Sequence, residues 1–124
     1  MKKKLLIVVG LLFIFILAVS VFFLNGLSAG VNVTLSGIDL INIPDGNYIG
    51  TYDFKRWSNT VTVHISNNKI TAIDIEKDML IPVPDCSAQI FHRVITAQDT
   101  MVDAISSATV SSKAYLKAIE DALD

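Results

Sequence analysis

A run of 20 residues from Leu5 to Leu24 constrains this chain most, because it contains no charged side chain and consists mainly of branched aliphatic residues and Phe. A helix rises about 1.5 Å per residue, so this run would be about 30 Å long, which matches the hydrocarbon core of a bilayer. We therefore predict one transmembrane segment over residues 5–24, preceded by a basic head at residues 1–4.

The distribution of basic residues predicts how this segment is oriented. Three lysines precede it, and no Lys or Arg follows until Lys55. The positive-inside rule then keeps the N-terminus in the cytoplasm and moves the rest of the chain across the cell membrane. A cleaved signal peptide with a site after Ala29 is the alternative, but apolar signal regions usually have about 7 to 15 residues and Leu27 is large for the −3 position. A single-pass anchor with an extracytoplasmic C-terminal domain is the prediction.

The composition of the remaining chain excludes several classes of protein. Lys2, Lys3 and Lys4 account for three of the ten basic residues, which leaves seven basic residues against all twelve acidic ones. This acidic balance argues against a nucleic-acid partner. One cysteine and two histidines exclude a disulfide scaffold and a Cys/His metal site.

Two segments are predicted beyond the membrane. Residues 25–43 are rich in Gly, Ser and Asn and predict a tether that ends in a short strand. A compact domain follows at residues 44–124, beginning with a strand in which Gly50 marks a bulge or a close backbone approach. Alternating apolar residues on both sides of Asn67-Asn68 predict a β-hairpin over residues 60–76.

The second half of the domain carries helical patterns. We predict a helix from Cys86 to Ala97 that Asp85 caps, and a last helix from Ser111 to Leu123. The predicted fold class is α+β: a small antiparallel sheet packed with two helices, preceded by one N-terminal transmembrane helix.

Few residues in this domain predict chemistry. His64 lies on the polar side of a predicted strand and His92 on a helix, and no Ser or Cys is placed as a nucleophile beside them, so no catalytic residue is predicted. Cys86 is interpreted as a small buried apolar residue. The hydroxyl-rich residues 106–109 lead into the last helix, where free backbone N–H groups favour a phosphate. Ordinary helix capping also explains this pattern.

At these residues the chain resembles the small FMN-binding domain of extracytoplasmic electron carriers, including the flavin subunits of the Rnf and Na⁺-translocating NADH:quinone oxidoreductase complexes. Residues 45–50, DGNYIG, look like the family's opening D-G-x-Y-x-G, and residues 102–109, VDAISSAT, look like its V-D-(A/G)-x-S-G-A-T. The hairpin, ITAQ at 95–98, Ser111-Ser112 and AIEDAL at 118–123 follow the family pattern in the same order. The resemblance covers about residues 44–123.

The resemblance implies a covalent cofactor. In the family, a flavin transferase that depends on FAD and Mg²⁺ esterifies the Thr of the S-G-A-T segment to the phosphate of FMN and releases AMP. The matching residue is Thr109, and the implied cofactor-binding set adds Asp103, Ser106, Ser107 and Ala108. Ser107 departs from the pattern, because glycine, which permits positive φ, is commonest there. Aromatic candidates for a flavin platform, or for ordinary core, are Tyr48, Tyr52, Phe54 and Trp57.

The leading hypothesis is thus a membrane-anchored electron carrier with FMN on Thr109, which exchanges electrons with membrane or surface partners and is not itself an enzyme. The alternative is an anchored binding or sensory module of the same fold with reversible FMN or none. A reductase acting on a small substrate is disfavoured, because the chain has no Gly-rich phosphate loop for a nicotinamide cofactor.

Overall fold

The computed structural model describes residues 1–124. Helix α1 (Lys2–Leu24) is apolar from Leu5 onwards and has no buried residue. It is long and apolar enough to cross a membrane once. A turn at Asn25-Gly26 joins it to a short helix, α2 (Leu27–Val31).

Three antiparallel strands form one sheet in the order β1-β2-β3. The strands are β1 (Gly46–Tyr52), β2 (Asn59–Ser66) and β3 (Lys69–Lys77), with a 3₁₀ turn at Lys55–Trp57 between the first two. The predicted hairpin is confirmed: β2 and β3 are joined at Asn67-Asn68, whose φ angles of 51° and 59° suit asparagine in a tight turn.

Helix α4 (Thr109–Leu123) packs across β1 and β2, while α3 (Cys86–Ala97) packs against α4 and β3. The close approach predicted at Gly50 is present, because a Cβ atom there would collide with the main-chain oxygen of Ala118 and with Ala122. Small residues on α4 therefore bring the helix backbone onto the sheet. The α+β prediction with one N-terminal apolar helix is confirmed.

The chain between α2 and β1 differs from the prediction, because no strand forms there. Its apolar side chains instead lie half-buried on the core: Leu35, Ile38, Leu40 and Ile43. Glu120 of α4 fixes this segment, since its Oε1 accepts hydrogen bonds from the main-chain N–H groups of Ser36 (2.8 Å) and Gly37 (3.0 Å). A buried carboxylate that the alternating pattern does not reveal thus holds the segment in an irregular path.

Two helix starts also differ from the sequence-based expectation. Asp85 stands at the N-cap of α3, but its φ of 61° is left-handed and its side chain makes no capping hydrogen bond. Helix α4 begins at Thr109, two residues before the predicted start at Ser111. Thr109 is therefore the first helical residue and not part of the preceding loop.

Candidate functional site

The N-terminus of α4 leaves main-chain donors free. Ala108 occupies the N-cap and has no side chain that can cap, and the first helical bond runs from the Ser112 N–H to the Ala108 oxygen at 2.9 Å. The N–H groups of Thr109, Val110 and Ser111 donate to no protein acceptor. These donors and the helix dipole give this end of α4 a partial positive charge that suits an anion.

Ser112 holds the loop that precedes α4. Its fully buried hydroxyl accepts a hydrogen bond from the Ile105 N–H at 3.0 Å and donates one to the Ala108 oxygen at 2.7 Å. The Cys86 sulfur lies 3.7 Å from the same hydroxyl. Burial raises the pKa of the Cys86 thiol, with Asp78 raising it further and the Ser112 contact lowering it. Cys86 is a buried packing residue, as predicted, and Ser112 fixes the loop in one conformation.

Ser107 adopts a left-handed backbone conformation, with a φ of 68°. The family that this chain resembles most often has glycine at this position, and glycine reaches positive φ without steric cost. The loop therefore follows the path that a glycine would take. Serine at this position is strained, because a Cβ atom disfavours the left-handed region.

A cleft of about 290 Å³ opens at this end of α4. One wall is formed by Ser107, Ala108, Thr109, Val110 and Ser111, and the rest by Leu27, Val31, Arg56, Trp57 and Val83. Helix α2 contributes to the cleft because buried Gly30 brings its backbone against Val110, where a Cβ atom would collide. The segment that leaves α1 thus forms part of the cleft around Thr109.

Arg56 supplies the positive side chain of this cleft. Its guanidinium lies 4.1 Å from the centroid of the Trp57 ring and donates to the main-chain oxygen of Phe23 at 3.3 Å. Its Nε is buried and has no hydrogen-bond partner. A guanidinium that lines the same cleft as the N-terminus of α4, and that has a donor without a partner, is a second feature that suits an anion.

Trp57, one of the four aromatic candidates for a flavin platform, is a core residue. It is only 1% exposed, and the Phe54 ring stacks on it at a centroid distance of 5.8 Å. Of the four aromatic platform candidates, only Trp57 lines the cleft. Tyr48, Tyr52 and Phe54 are half-buried against the core away from it.

The predicted cofactor-binding residues separate into two groups. Ser107, Ala108 and Thr109 line the cleft, with Thr109 half-buried at its edge. Ser106 is exposed outside it, and Asp103 is exposed on a neighbouring surface, where its main-chain oxygen accepts a hydrogen bond from Arg93 at 2.6 Å.

Both histidines lie apart from the cleft. His64 sits on the outer face of the sheet between Asn47 (2.6 Å) and Asp74 (2.7 Å), and His92 is exposed on α3.

Sequence reasoning missed four residues of the cleft: Arg56, Leu27, Val31 and Val83. The position of Arg56 next to the only tryptophan is the one sequence feature that could have identified it. The turn after α1 brings Leu27 and Val31 into the cleft, and the proline-rich loop brings Val83.

Comparison with known protein families gives a match over the second half of the chain. A family model described as an FMN-binding domain matches residues 57–124, which include Arg56's neighbour Trp57, the loop 103–108 and all of α4. No curated protein matches the chain. Because the matched residues make up more than half of the sequence, this chain belongs to the FMN-binding domain family.

Proposed function

We propose that Thr109 carries FMN through a phosphoester and that the domain relays electrons between a membrane or surface donor and an extracytoplasmic acceptor. The observation that carries this proposal is the position of the Thr109 side chain. It stands at the first residue of α4, in the same cleft as the free N–H groups of that helix and Arg56.

The residues of the cleft fit a phosphate diester. Such a diester on Thr109 keeps one negative charge, and the uncapped N-terminus of α4 favours a negative charge at that point. Arg56 adds a full positive charge, and its buried Nε lacks an acceptor within the protein. A bound phosphate oxygen would give this donor and the main-chain donors the acceptors that they lack.

The size of the cleft favours covalent over reversible attachment. Ligand pockets commonly measure about 300–1,000 Å³, and this cleft measures about 290 Å³. The apolar side chains Leu27, Val31 and Val83 are available to the flavin ring, whereas Trp57 is buried beneath Phe54 and Arg56. A small cleft that covers only part of the cofactor gives limited non-covalent affinity, whereas an ester bond retains the flavin outside the cytoplasm.

The protein supplies attachment and orientation in this proposal, and FMN supplies the redox chemistry. A flavin transferase joins the Thr109 oxygen to the FMN phosphorus of FAD, breaks the pyrophosphate bond and releases AMP, while the hydroxyl proton is lost. The transferase requires Mg²⁺, so the mature domain needs no metal of its own. The chain is thus the substrate of an enzyme and an electron carrier.

The proposed orientation places residues 1–4 in the cytoplasm and the flavin outside. The cleft is formed in part by Leu27 and Val31, directly after α1, so the flavin stays close to the membrane surface. That position suits exchange of electrons with a membrane partner. A phosphatase reporter fused after Asp124 should be active only if the C-terminus lies outside, and activity of a cytoplasmic reporter at the same position would refute this orientation.

Flavin fluorescence in a denaturing gel tests the attachment. Wild-type chain coexpressed with a flavin transferase should give a fluorescent band, and Thr109→Ala should give none. Ser106→Ala is the matched control, because it removes a nearby hydroxyl that lies outside the cleft. The Thr109 side chain makes no hydrogen bond within the protein, so its loss should leave the fold intact. Covalent flavin on the Thr109→Ala variant would contradict the proposal.

A reversible FMN-binding module is the second candidate, and the strained serine at position 107 favours it. If Ser107 prevents recognition by the transferase, flavin should bind the native chain and leave on denaturation. Ser107→Gly should then produce a covalent adduct, because glycine takes the observed φ without strain. A wild-type chain that is already modified to completion would exclude this candidate.

A further inference from the structure

The basic residues of the domain are concentrated beside the end of α1. Residues 25–124 contain seven basic and twelve acidic side chains. Three of the seven, Lys55, Arg56 and Lys77, line one cleft of about 470 Å³, together with Phe22 and Asn25 from the end of the apolar helix. An otherwise acidic domain therefore turns a positive surface towards the point where α1 leaves the membrane.

Contacts at the end of α1 hold two of these three cations, Lys55 and Arg56. Lys55 donates to the side-chain oxygen of Asn25 at 2.6 Å, and Arg56 donates to the main-chain oxygen of Phe23 and lies 5.2 Å from the centroid of its ring. Phe23 belongs to the last turn of the apolar helix. In a bilayer that α1 spans, the cleft would therefore lie where hydrocarbon gives way to lipid headgroups.

An exposed apolar loop borders the same cleft. Leu80 is 69% exposed, Ile81 and Val83 are exposed as well, and prolines at 82 and 84 keep the loop irregular. The Leu80 N–H donates to the Arg56 oxygen at 3.1 Å, which ties the loop to the basic turn. Apolar side chains flanked by cations are the arrangement that surfaces in contact with anionic membranes use.

One carboxylate also lines the cleft. Asp78 Oδ1 accepts a hydrogen bond from the Tyr115 hydroxyl at 2.6 Å and another from the Met79 N–H at 2.8 Å. This carboxylate is thus engaged by the domain, and the three cations outnumber it. The charge that the cleft offers to a ligand is positive.

We propose that this cleft binds the phosphate headgroup of an anionic phospholipid in the leaflet next to the domain, with the loop at residues 80–83 in contact with the bilayer. Lys55, Arg56 and Lys77 provide the charge, and Leu80 enters the apolar layer. The binding orients the domain on the membrane. Arg56 lines both this cleft and the one beside Thr109, but the lipid contact requires neither FMN nor an intact Thr109, so it is tested on the Thr109→Ala chain as well as on the wild type.

Hydrogen exchange of the full chain in nanodiscs tests this proposal. The main-chain N–H groups of Ile81 and Val83 form no hydrogen bond within the protein, so they exchange rapidly unless something covers them. Their exchange should be slower in nanodiscs of phosphatidylcholine mixed with phosphatidylglycerol than in phosphatidylcholine alone. The signal is local to the loop, so Lys2, Lys3 and Lys4 at the other end of α1 do not contribute to it.

Two lysines at opposite ends of β3 provide matched variants. Lys77→Gln should reduce the slowing by up to about fivefold, the contribution expected of one lysine at an anionic surface. Lys69→Gln removes the same charge at the hairpin end of the strand and should leave the slowing unchanged. Both side chains are exposed, so neither variant should unfold the domain. Equal exchange in the two nanodiscs, or equal effects of the two substitutions, would overturn the proposal.

Discussion

Replacing Glu120 with alanine should loosen the attachment of the segment that precedes β1 to α4. Glu120 is 8% exposed, and its Oε1 accepts three hydrogen bonds: from the Ser36 and Gly37 N–H groups and from the Thr100 hydroxyl at 2.9 Å. Its Oε2 pairs with Lys117 at 3.2 Å. One carboxylate therefore joins α4 to two separate loops.

The three donors determine the size of the effect. Ser36 is exposed, so its N–H group can form a hydrogen bond to water when Glu120 is removed. Thr100 is 0% exposed, so its hydroxyl loses its acceptor without reaching water. A buried donor without a partner costs about 1–3 kcal/mol, and each lost hydrogen bond to an exposed group costs about 1 kcal/mol. We expect Glu120→Ala to lower the free energy of unfolding by about 3–5 kcal/mol. Glu120→Gln keeps an oxygen for the three donors and should cost about 1 kcal/mol.

Urea unfolding in detergent, followed by Trp57 fluorescence, measures this difference. Trp57 is the only tryptophan and is buried in the domain, so its signal does not depend on α1. The Ala variant should also exchange the Ser36 and Gly37 amide hydrogens faster, while the Gln variant should protect them. An Ala variant as stable as the Gln variant would refute the role assigned to Oε1.

Three further predictions concern the packing of α4 and α3. Gly50→Ala should destabilise the domain by about 1–3 kcal/mol in the same urea assay, because the added methyl collides with the backbone of α4; an unchanged midpoint would contradict this close approach. Burial, and next the hydrogen bond to Asp78, raise the pKa of Tyr115 well above its usual value of about 10. The folded state therefore holds the Tyr115 proton more tightly than the unfolded state does. The stability that comes from the protonated phenol is present below about pH 10 and is lost as the pH rises further. Tyr115→Phe should lose less stability than wild type over that alkaline range, and equal losses would refute the assignment. Cys86, 1% exposed and with its pKa raised by burial, should react with a thiol reagent only after unfolding, as followed by mass; rapid labelling of the native chain would contradict its burial.

Periodic patterns were sufficient to predict the regular part of the fold. The hairpin follows from alternating residues around Asn67-Asn68, and the helix from Cys86 to Ala97 was predicted with its observed bounds. Of the two roles predicted for Gly50, a bulge or a close backbone approach, the close approach is observed. A glycine within a strand commonly marks one of these two features. These features depend on residues close together in the sequence.

Features that depend on distant residues were not predicted. The path of residues 32–45 is set by Glu120 from the last helix, a contact across more than 80 positions that no local pattern encodes. Trp57 is buried because Phe54 and Arg56 cover it, although its sequence neighbours predict a loop. The cleft beside Thr109 likewise combines α2, the turn before β2, the proline-rich loop and α4. Sequence reasoning identified Thr109 from the family pattern but not the arginine beside it.

The central claim is that Thr109 carries the flavin, and the intact mass of the chain coexpressed with a flavin transferase tests it most directly. The account predicts a mass increase equal to FMN less one water, located by peptide mapping to Thr109. An unmodified chain, when a known flavinylated domain is modified in parallel, or an adduct on any other residue, would contradict it.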